Sequence, residues 1–335
     1  MGRKSNSNLI LVTGGGGFIG GHVAHELIAR GHEIVAFGRS RPSRETQFVL
    51  RDDEAGFRIE VGGVDDLPRL IEVVKAWRPT AIVHLASNVD VAHLFQNPHL
   101  AFRLNLAETL NVFEAARLFG VNRVVYFSSV GVLPTIQYEP IDAAHPIVLP
   151  RQGPGAGAYG AAKASGELFA FAYEQAFGLD VRIIRPSAVY GFGMPWHSAN
   201  YMKQFVEPAV RGEHVKLDSG GALSRDYTHV TDVATLTAAV LASPNDVDRI
   251  FYAATGQPLI AASEAARLVA QLIPGASIEI GDALTPEDEV EASFRGIISI
   301  DTAREQLGWR PRYSSLRDGV HEYISAYRAY LDTNG

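Results

Sequence analysis

The chain of 335 residues has no cysteine, and its apolar runs are short. The absence of cysteine excludes a disulfide framework, a thiolate nucleophile and zinc held by cysteine. A polar start, residues 1–8, leads into the apolar run Leu9–Val12, which is too short to span a membrane or to form the core of a secretory signal. We therefore expect a cytoplasmic protein without a membrane partner.

Neither sign of charge is in large excess. The chain has 30 Lys and Arg residues against 37 Asp and Glu residues, a net charge of −7, and no block of like charges. Nucleic acids are bound through clustered positive charge, so we expect no such partner. None of the eleven histidines forms the helical pair with a carboxylate that binds zinc, and we expect His22 and His25, three residues apart, to pack or face solvent rather than hold a metal.

Short β-rich runs alternate with longer helical patterns through the first half of the chain, a rhythm that predicts a buried parallel sheet. Strands are predicted over Asn8–Thr13, Glu33–Gly38, Arg58–Val61, Ala81–Ala86, Arg123–Ser128 and Val181–Arg185. The pattern predicts an α/β Rossmann fold, a doubly wound parallel sheet, with a dinucleotide-binding domain over residues 1–185. The alternation weakens after Arg185, so we expect residues 186–335 to form mainly a smaller C-terminal substrate-binding lobe, with some segments returning to the Rossmann sheet.

A glycine-rich turn, Thr13–Gly20, follows the first predicted strand and opens the first predicted helix. Glycines let the backbone approach a pyrophosphate, and the free N–H groups of a helix start bind negative charge. We therefore expect Gly14, Gly17 and Gly20, with the intervening Phe18 and Ile19, to bind a dinucleotide cofactor. The alternative is a tight strand-to-helix turn, which needs only one or two glycines.

The residues after the second strand, Phe37-Gly-Arg39-Ser-Arg41, include no acidic residue. An acid at this place holds the ribose 2′-hydroxyl of NAD, whereas an arginine suits the 2′-phosphate of NADP. Arg39 therefore favours NADP(H). NAD stays open, because Arg39 and Arg41 would also fit as solvated loop charges.

Tyr159 and Lys163 are four residues apart and share one face of a helix predicted over about Tyr159–Phe177. The helix follows a loop rich in Pro and Gly, residues 145–157, which we expect to border the site. Ser128 and Ser129 end a predicted strand, where open α/β sheets place their ligands.

The chemistry of these side chains is that of proton transfer at a carbinol. A cation beside a phenol favours the phenolate, so Lys163 and an oxidised nicotinamide are expected to lower the pKa of Tyr159 from its usual value near 10. Tyr159 would then exchange the carbinol proton during hydride transfer. Ser129, with Ser128 as second choice, would hydrogen-bond the same substrate oxygen. The alternative is a surface Tyr–Lys pair and two serines that cap backbone groups.

An ordered set of motifs along nearly the whole chain resembles the extended short-chain dehydrogenase/reductases, the NAD(P)-dependent epimerase/dehydratase family typified by UDP-galactose 4-epimerase. The set consists of Thr13–Gly20, Val83–Ala86, Asn105, Thr109, Asn111, Glu114, Ser128–Ser129, Tyr159, Lys163, Glu167, Arg185–Pro186, Val189–Gly191, Arg225–Val230, Asp232–Ala234 and Leu307–Pro311.

The resemblance implies roles for further residues. Cofactor contacts are implied for Leu85, Ala86, Asn105, Lys163 at the nicotinamide ribose, and the backbone around Pro186 and Val189. Substrate contacts are implied for Arg225, at the diphosphate of a nucleotide sugar, and Ser87 is placed at the cleft by topology; Arg225 would otherwise form an ion pair with Asp226 or Asp232. The resemblance also implies a homodimer formed through the helices around 104–119 and 159–177.

Departures from the family pattern bear on the reaction. Val130-Gly131 replaces the Asp-Glu pair of members that dehydrate nucleotide sugars, which argues against dehydration, and Ala188 replaces an asparagine often offered to a sugar nucleotide. His197, beside Trp196, is a candidate for substrate contact or for a structural role.

We expect hydride transfer to or from a secondary alcohol or ketone with NADP or NAD, acting on a sugar nucleotide in the manner of a 4-epimerase. Two alternatives stay open: an NADP(H)-dependent reductase or dehydrogenase of a small non-nucleotide hydroxy or keto compound, and a non-catalytic protein that senses dinucleotides.

Overall fold

The structure, a computed structural model, describes residues 8–53, 55–148, 155–196 and 200–334. His197 and residues 149–154 of the Pro- and Gly-rich loop lie outside the described residues. Within them, no helix combines the length and apolar character needed to cross a bilayer. In the same ranges, no group of three or more His, Asp or Glu side chains could hold a metal ion.

The core of the molecule is a parallel sheet of seven strands in the order β11-β6-β5-β4-β1-β2-β3. Its strands are β1 (Leu9–Thr13), β2 (Glu33–Gly38), β3 (Phe57–Val61), β4 (Ala81–His84), β5 (Arg123–Phe127), β6 (Asp180–Pro186) and β11 (Ile250–Ala253). The predicted strands agree with β1 to β6 within one or two residues at each end. Strands β1, β4 and β5 are buried along their whole length, which is why they appear in the sequence as continuous apolar runs.

The remaining strands pair in short two-stranded ladders, β7 with β10, β9 with β12 and β8 with β13. They are β7 (Ala188–Tyr190), β8 (Val215–Leu217), β9 (Ser224–Arg225), β10 (Tyr227–His229), β12 (Ile260–Ala261) and β13 (Ile278–Ile280). All of these ladders belong to the second half of the chain.

Helices connect and cover these strands. They are α1 (Phe18–Ala29), α2 (Arg44–Val49), α3 (Leu67–Trp77), α4 (Val91–Gln96), α5 (Pro98–Ala101), α6 (Glu108–Phe119), α7 (Gly157–Phe177), α8 (Met202–Val210), α9 (Val230–Leu241), α10 (Ala262–Leu272), α11 (Pro286–Ala292), α12 (Asp301–Leu307) and α13 (Leu316–Asn334). A π-helical segment, Phe102–Ala107, leads into α6, and a 3-10 turn, Val130–Val132, follows β5.

Two apolar layers enclose the sheet, one on each face. On one face α1, α9 and α12 pack against it through residues such as Val23, Leu27 and Val233. On the other face α3, α6 and α7 do so through residues such as Val74 and Phe113. This arrangement confirms the predicted doubly wound Rossmann fold.

The second half of the chain has an apolar core of its own, to which α8, α10 and α13 contribute buried residues such as Phe205, Val269 and Tyr323. It does not stay apart from the sheet, however. Strand β11 pairs with β6 in the main sheet, in register from Ile250 opposite Ile183. Helix α9 packs beside α1 in one of the two layers.

Strand order sets the position of the site. The chain crosses from one side of β1 to the other between β3 and β4, so the loops after β1 and β4 diverge at their carboxyl ends. Open α/β sheets bind ligands in the crevice formed there. The glycine-rich turn, Ser129 and the start of α7 all lie at this edge.

Candidate functional site

The glycine-rich turn between β1 and α1 is packed too tightly for side chains. Gly14 has φ +72°, and a Cβ on it would lie 2.9 Å from the backbone nitrogen of Ala86, two residues after β4. A Cβ on Gly20 would overlap the carbonyl oxygen of Gly14. Helix α1 begins after Gly17 with no side-chain cap and no acidic residue in its first turn. Its first N–H groups therefore suit an anionic group, and the turn fits a dinucleotide pyrophosphate.

A cleft of about 340 Å³ opens beside this turn. It is lined by Gly14, Gly38, Arg39, Gly62, Val64, Ala86, Ser87, Asn88, Val89 and Glu108. The structure thus brings together Gly14, Arg39 and Ala86, three of the predicted cofactor residues. Ser87, which the sequence analysis assigned to substrate, lies in this same cleft.

Asn105, buried in the π-helical segment, holds the wall of the cleft. Its Oδ1 accepts hydrogen bonds from the backbone N–H of Asn88 at 2.7 Å and from Ser87 Oγ at 3.0 Å, and its Nδ2 donates to the Asn88 carbonyl oxygen at 2.9 Å. The amide of Asn105 is therefore used by the loop that follows β4, so any effect on a cofactor would pass through that loop.

The other predicted cofactor residues are distributed around the turn and the ends of β6 and β7. Leu85 donates its N–H to the Thr13 carbonyl oxygen, and Val189 accepts from Asn200 Nδ2 at 2.7 Å. Phe18 and Ile19 begin α1, and Pro186 ends β6.

Arg39, which lines the cleft, is paired with an acidic residue. Its Nη2 forms an ion pair with Oε1 of Glu108, the first residue of α6. The Arg39 side chain is 57% exposed, whereas that of Glu108 is 2% exposed. Burial raises the pKa of Glu108 to about 7, although Arg39 opposes the rise. Glu108 was not among the residues predicted from the sequence, because only its place on the buried face of a predicted helix could have indicated it.

Ser129 and Tyr159 meet around the 3-10 turn after β5. Ser129 Oγ accepts the N–H of Gly131 at 3.0 Å and so caps the turn. A Cβ on Gly131 would lie 3.3 Å from that Oγ and 3.8 Å from Cε1 of Tyr159. Helix α7 comes this close because Gly160 has no side chain; a Cβ there would overlap the Gly131 oxygen. The two predicted proton-handling groups are therefore neighbours.

Lys163 lies one turn along α7 and is buried. Its Nζ donates to the carbonyl oxygen of Phe127 at 2.8 Å and lies 5.9 Å from the centre of the Tyr159 ring. Burial lowers the pKa of this ammonium to about 7, against the opposing effect of Glu108 and Glu167.

The expectation that Lys163 lowers the pKa of Tyr159 does not hold for the protein alone. Burial raises the pKa of Tyr159, and a hydrogen bond with Ser129 opposes the rise. The physical reason is that the ammonium is directed to a carbonyl oxygen rather than to the phenol, so removal from water dominates.

Ser128 faces a different set of partners. Its Oγ donates to Glu167 Oε1 at 2.5 Å, and Glu167 Oε2 accepts from Arg185 Nη2 at 2.6 Å. Arg185 Nη1 donates in turn to the Tyr252 hydroxyl at 2.7 Å. This buried network ties β5, α7, β6 and β11 together, and it leaves Ser129 as the serine beside Tyr159.

Arg225, at the end of β9, is buried and paired with Glu291 of α11, not with Asp226 or Asp232. Its Nε donates to Glu291 Oε1 at 2.7 Å and its Nη2 to Oε2 at 3.0 Å. Arg295 Nη2 also donates to Oε1 at 2.7 Å. Against the effect of burial, the two arginines hold the pKa of Glu291 below its usual value.

Three polar atoms of this cluster are buried without a hydrogen-bond partner among the described residues: Nη1 of Arg225, Nη1 of Arg295 and the hydroxyl of Tyr227. Phe294, the residue before Arg295, packs against Gly155 just before α7: a Cβ on Gly155 would lie 2.6 Å from Cδ1 of Phe294. The cluster therefore lies near the start of α7. Arg295 and Glu291 were not predicted from the sequence, because neither belongs to a motif.

The sheet order, the glycine turn and the cleft beside it define a Rossmann-like α/β protein built to hold a dinucleotide. The sequence model of the NAD dependent epimerase/dehydratase family matches residues 10–253. The chain belongs to this family and is an enzyme of the extended short-chain dehydrogenase/reductase type, as the sequence motifs predicted.

Similar proteins include epimerases. The UDP-glucose 4-epimerase of Mycolicibacterium smegmatis is 28% identical over 330 residues, which are 95% of this chain and 98% of that protein. The crystal structure of the Thermus thermophilus UDP-glucose 4-epimerase in complex with NAD has a TM-score of 0.81 and 28% identity, covering 96% of this chain and 99% of that one. The Thermotoga maritima UDP-glucose 4-epimerase with UDP-glucose has a TM-score of 0.81 at 24% identity, with coverage of 96% and 99%.

Proposed function

We propose that this enzyme interconverts a secondary alcohol and a ketone at a site formed by Tyr159, Ser129 and Lys163. A nicotinamide dinucleotide in the cleft beside Gly14 would supply or accept the hydride. The observation that carries the proposal is the meeting of Ser129 and Tyr159 around Gly131, at the sheet edge that also holds the glycine turn.

The side chains suit distinct tasks. Because the pKa of Tyr159 is raised, its Oη carries a proton at neutral pH and can donate it to a carbonyl oxygen. Ser129 Oγ accepts from the Gly131 N–H, and its O–H, which meets the Tyr159 hydroxyl in the protein alone, would turn to donate to the substrate oxygen when substrate binds. Lys163, directed to the Phe127 carbonyl oxygen, would hold the inner wall of the site and contribute positive charge when protonated.

The cofactor is proposed to be NAD or NADP. Arg39 supports NADP, because a guanidinium suits a 2′-phosphate. The family and the Thermus thermophilus relative support NAD.

For the substrate we propose a nucleotide sugar, acted on as by a 4-epimerase. Similarity to UDP-glucose 4-epimerases supports this choice. So do the unpartnered Nη1 atoms of Arg225 and Arg295, since buried guanidinium groups with free N–H donors suit a phosphate.

A small non-nucleotide hydroxy or keto compound is the second candidate, and Glu291 favours it. This carboxylate already lies against both arginines, so a diphosphate would have to displace it or be repelled. The other alternative from the sequence, a non-catalytic dinucleotide sensor, does not agree with membership of this enzyme family, and the intact Ser129, Tyr159 and Lys163 also oppose it.

The test is a turnover assay with UDP-, GDP- and dTDP-sugars beside simple hydroxy ketones and hydroxy acids, run on the parent and on Tyr159→Phe. We expect loss of about 100-fold or more for the variant, in line with removal of a proton-transfer group. Equal rates would remove Tyr159 from the mechanism. Dinucleotide released on denaturing the purified protein would support an epimerase, which regenerates its cofactor each turn, whereas rapid exchange of the cofactor would support a reductase.

We also propose a homodimer formed through the outer faces of α6 and α7. These faces expose apolar side chains, namely Leu118, Phe119, Leu168, Phe169 and Phe177. Exposed apolar patches of this kind mark interaction surfaces. Light scattering should give twice the chain mass of 36.3 kDa, and Leu168→Glu should shift the protein towards the monomer.

A further inference from the structure

The cofactor cleft contains an acid that does not come from the segment after β2. Glu108, at the start of α6, lines the same cleft as Gly14, Gly38 and Ala86 and is almost fully buried. Its partner Arg39 follows β2 and covers it from the solvent side. The acid and the arginine that would favour opposite cofactors therefore lie in contact at one end of the cleft.

This contact changes what Arg39 can offer. A lone guanidinium carries a full positive charge, whereas one that is paired with an ionised carboxylate presents a local charge near zero. The pKa of Glu108 is raised to about 7, so its carboxyl group is mostly ionised at pH 8. A 2′-phosphate carries between one and two negative charges at neutral pH and would meet Glu108 as well as Arg39. A 2′-hydroxyl carries none and can share hydrogen bonds with either group.

We propose that Glu108 is a specificity-determining residue that makes this cleft take NAD in preference to NADP. The carboxylate replaces, from α6, the acid that is missing after β2, and it holds the guanidinium of Arg39 so that a 2′-phosphate gains little. This inference rests on the proposed function, which places a dinucleotide in the cleft. It also reverses the preference for NADP that Arg39 suggests when considered without its partner.

The other charged groups around Glu108 do not alter the sign of the effect. Asp65 adds negative charge near Glu108 and raises its pKa, whereas Lys163 adds positive charge and lowers it. Lys163 is directed to the carbonyl oxygen of Phe127. Among the residues that the structure describes, Arg39 is accordingly the cation in direct contact with Glu108.

The experiment measures dissociation constants of NAD and NADP by titration calorimetry at pH 8, without any substrate, on protein from which any bound dinucleotide has first been removed. The variants are Glu108→Gln, which keeps the shape and removes the charge, and Glu114→Gln as a matched control. Glu114 lies on the same helix but is paired with Arg117 outside the cleft. Circular dichroism and the thermal midpoint establish that each variant is folded.

The parent should bind NAD more tightly than NADP. Glu108→Gln should lower the dissociation constant of NADP about tenfold relative to that of NAD, because Arg39 is then free to make one charge-assisted contact with the 2′-phosphate. Glu114→Gln should leave the ratio of the two dissociation constants unchanged. A parent that prefers NADP overturns the inference even if Glu108→Gln fails to fold. Binding of both dinucleotides with the same ratio in parent and Glu108→Gln overturns the inference alone, whereas binding of neither overturns the proposed cofactor as well.

Discussion

Replacing Lys163 by Met should make the protein more stable while removing its activity. Lys163 is 2% exposed, and burial lowers the pKa of its ammonium from an ordinary 10.5 to about 7. Each unit of difference between the native and unfolded pKa corresponds to about 1.4 kcal/mol, so burying this side chain costs about 4–5 kcal/mol of folding free energy near neutral pH. Met fills a similar volume and has no charge to desolvate, and it loses one hydrogen bond worth about 1 kcal/mol.

The free energy of unfolding should therefore rise by about 2–3 kcal/mol in Lys163→Met at pH 7, after discounting for relaxation around the site. Between pH 7 and about 10.5 the unfolded chain binds more protons at Lys163 than the native one does. The free energy of unfolding of the parent thus rises with pH through this group, and the difference in free energy of unfolding between the variant and the parent becomes smaller.

Urea unfolding at pH 7.0 and pH 9.0 measures both effects, and Lys75→Met, at an exposed position of α3, is the control. A variant that is less stable than the parent at pH 7, or an advantage that grows with pH, would refute the reasoning. Lost turnover with gained stability would show that the fold bears a cost to keep this ammonium at the site.

Three further outcomes are expected. Gly160→Ala should lower the free energy of unfolding by about 1–3 kcal/mol and slow turnover, because a Cβ there overlaps the 3-10 turn and moves α7. Thermal unfolding and kcat measure the two effects. An unchanged thermal midpoint and an unchanged kcat would contradict the close approach of α7 to the turn. Arg185→Met should lower the free energy of unfolding in urea by about 3–5 kcal/mol, because it leaves the carboxylate of Glu167 buried and unpaired. If adding Glu167→Gln restores the stability, the loss is due to that buried charge. Glu291→Gln should tighten UDP at least several-fold in calorimetry by releasing Arg225, and unchanged binding would mean that this cluster does not meet a diphosphate.

The central sheet was accessible to sequence analysis because of its burial. A parallel strand covered by helices on both faces needs apolar side chains at nearly every position, so each strand stands out as a short continuous run. Strand β11 was not predicted, although some return of the second half to the sheet was. A run of four residues, Ile250–Ala253, carries too little pattern of its own to assign it to a sheet built mostly by the first half.

The site, like the sheet, could be predicted from the sequence only in part. Tyr159 and Lys163 share a helical face by their spacing, and the glycine turn follows a strand, so local sequence was sufficient to name both. The sign of the change in the pKa of Tyr159 was not accessible, because burial and the carbonyl partner of Lys163 decide it. The homodimer and the cytoplasmic location stay predictions.

The order of residues along the chain thus determined the fold class, the family and the groups available for chemistry, because these depend on periodicity and on motifs of a few residues. Tertiary structure alone decided which charges compensate one another. Arg39 and Glu108 are 69 positions apart, and Arg225 and Glu291 are 66 apart. Local patterns carry no information across such separations, and Coulomb energies depend on distance in space, so the preferences for cofactor and substrate emerge only once the chain is folded.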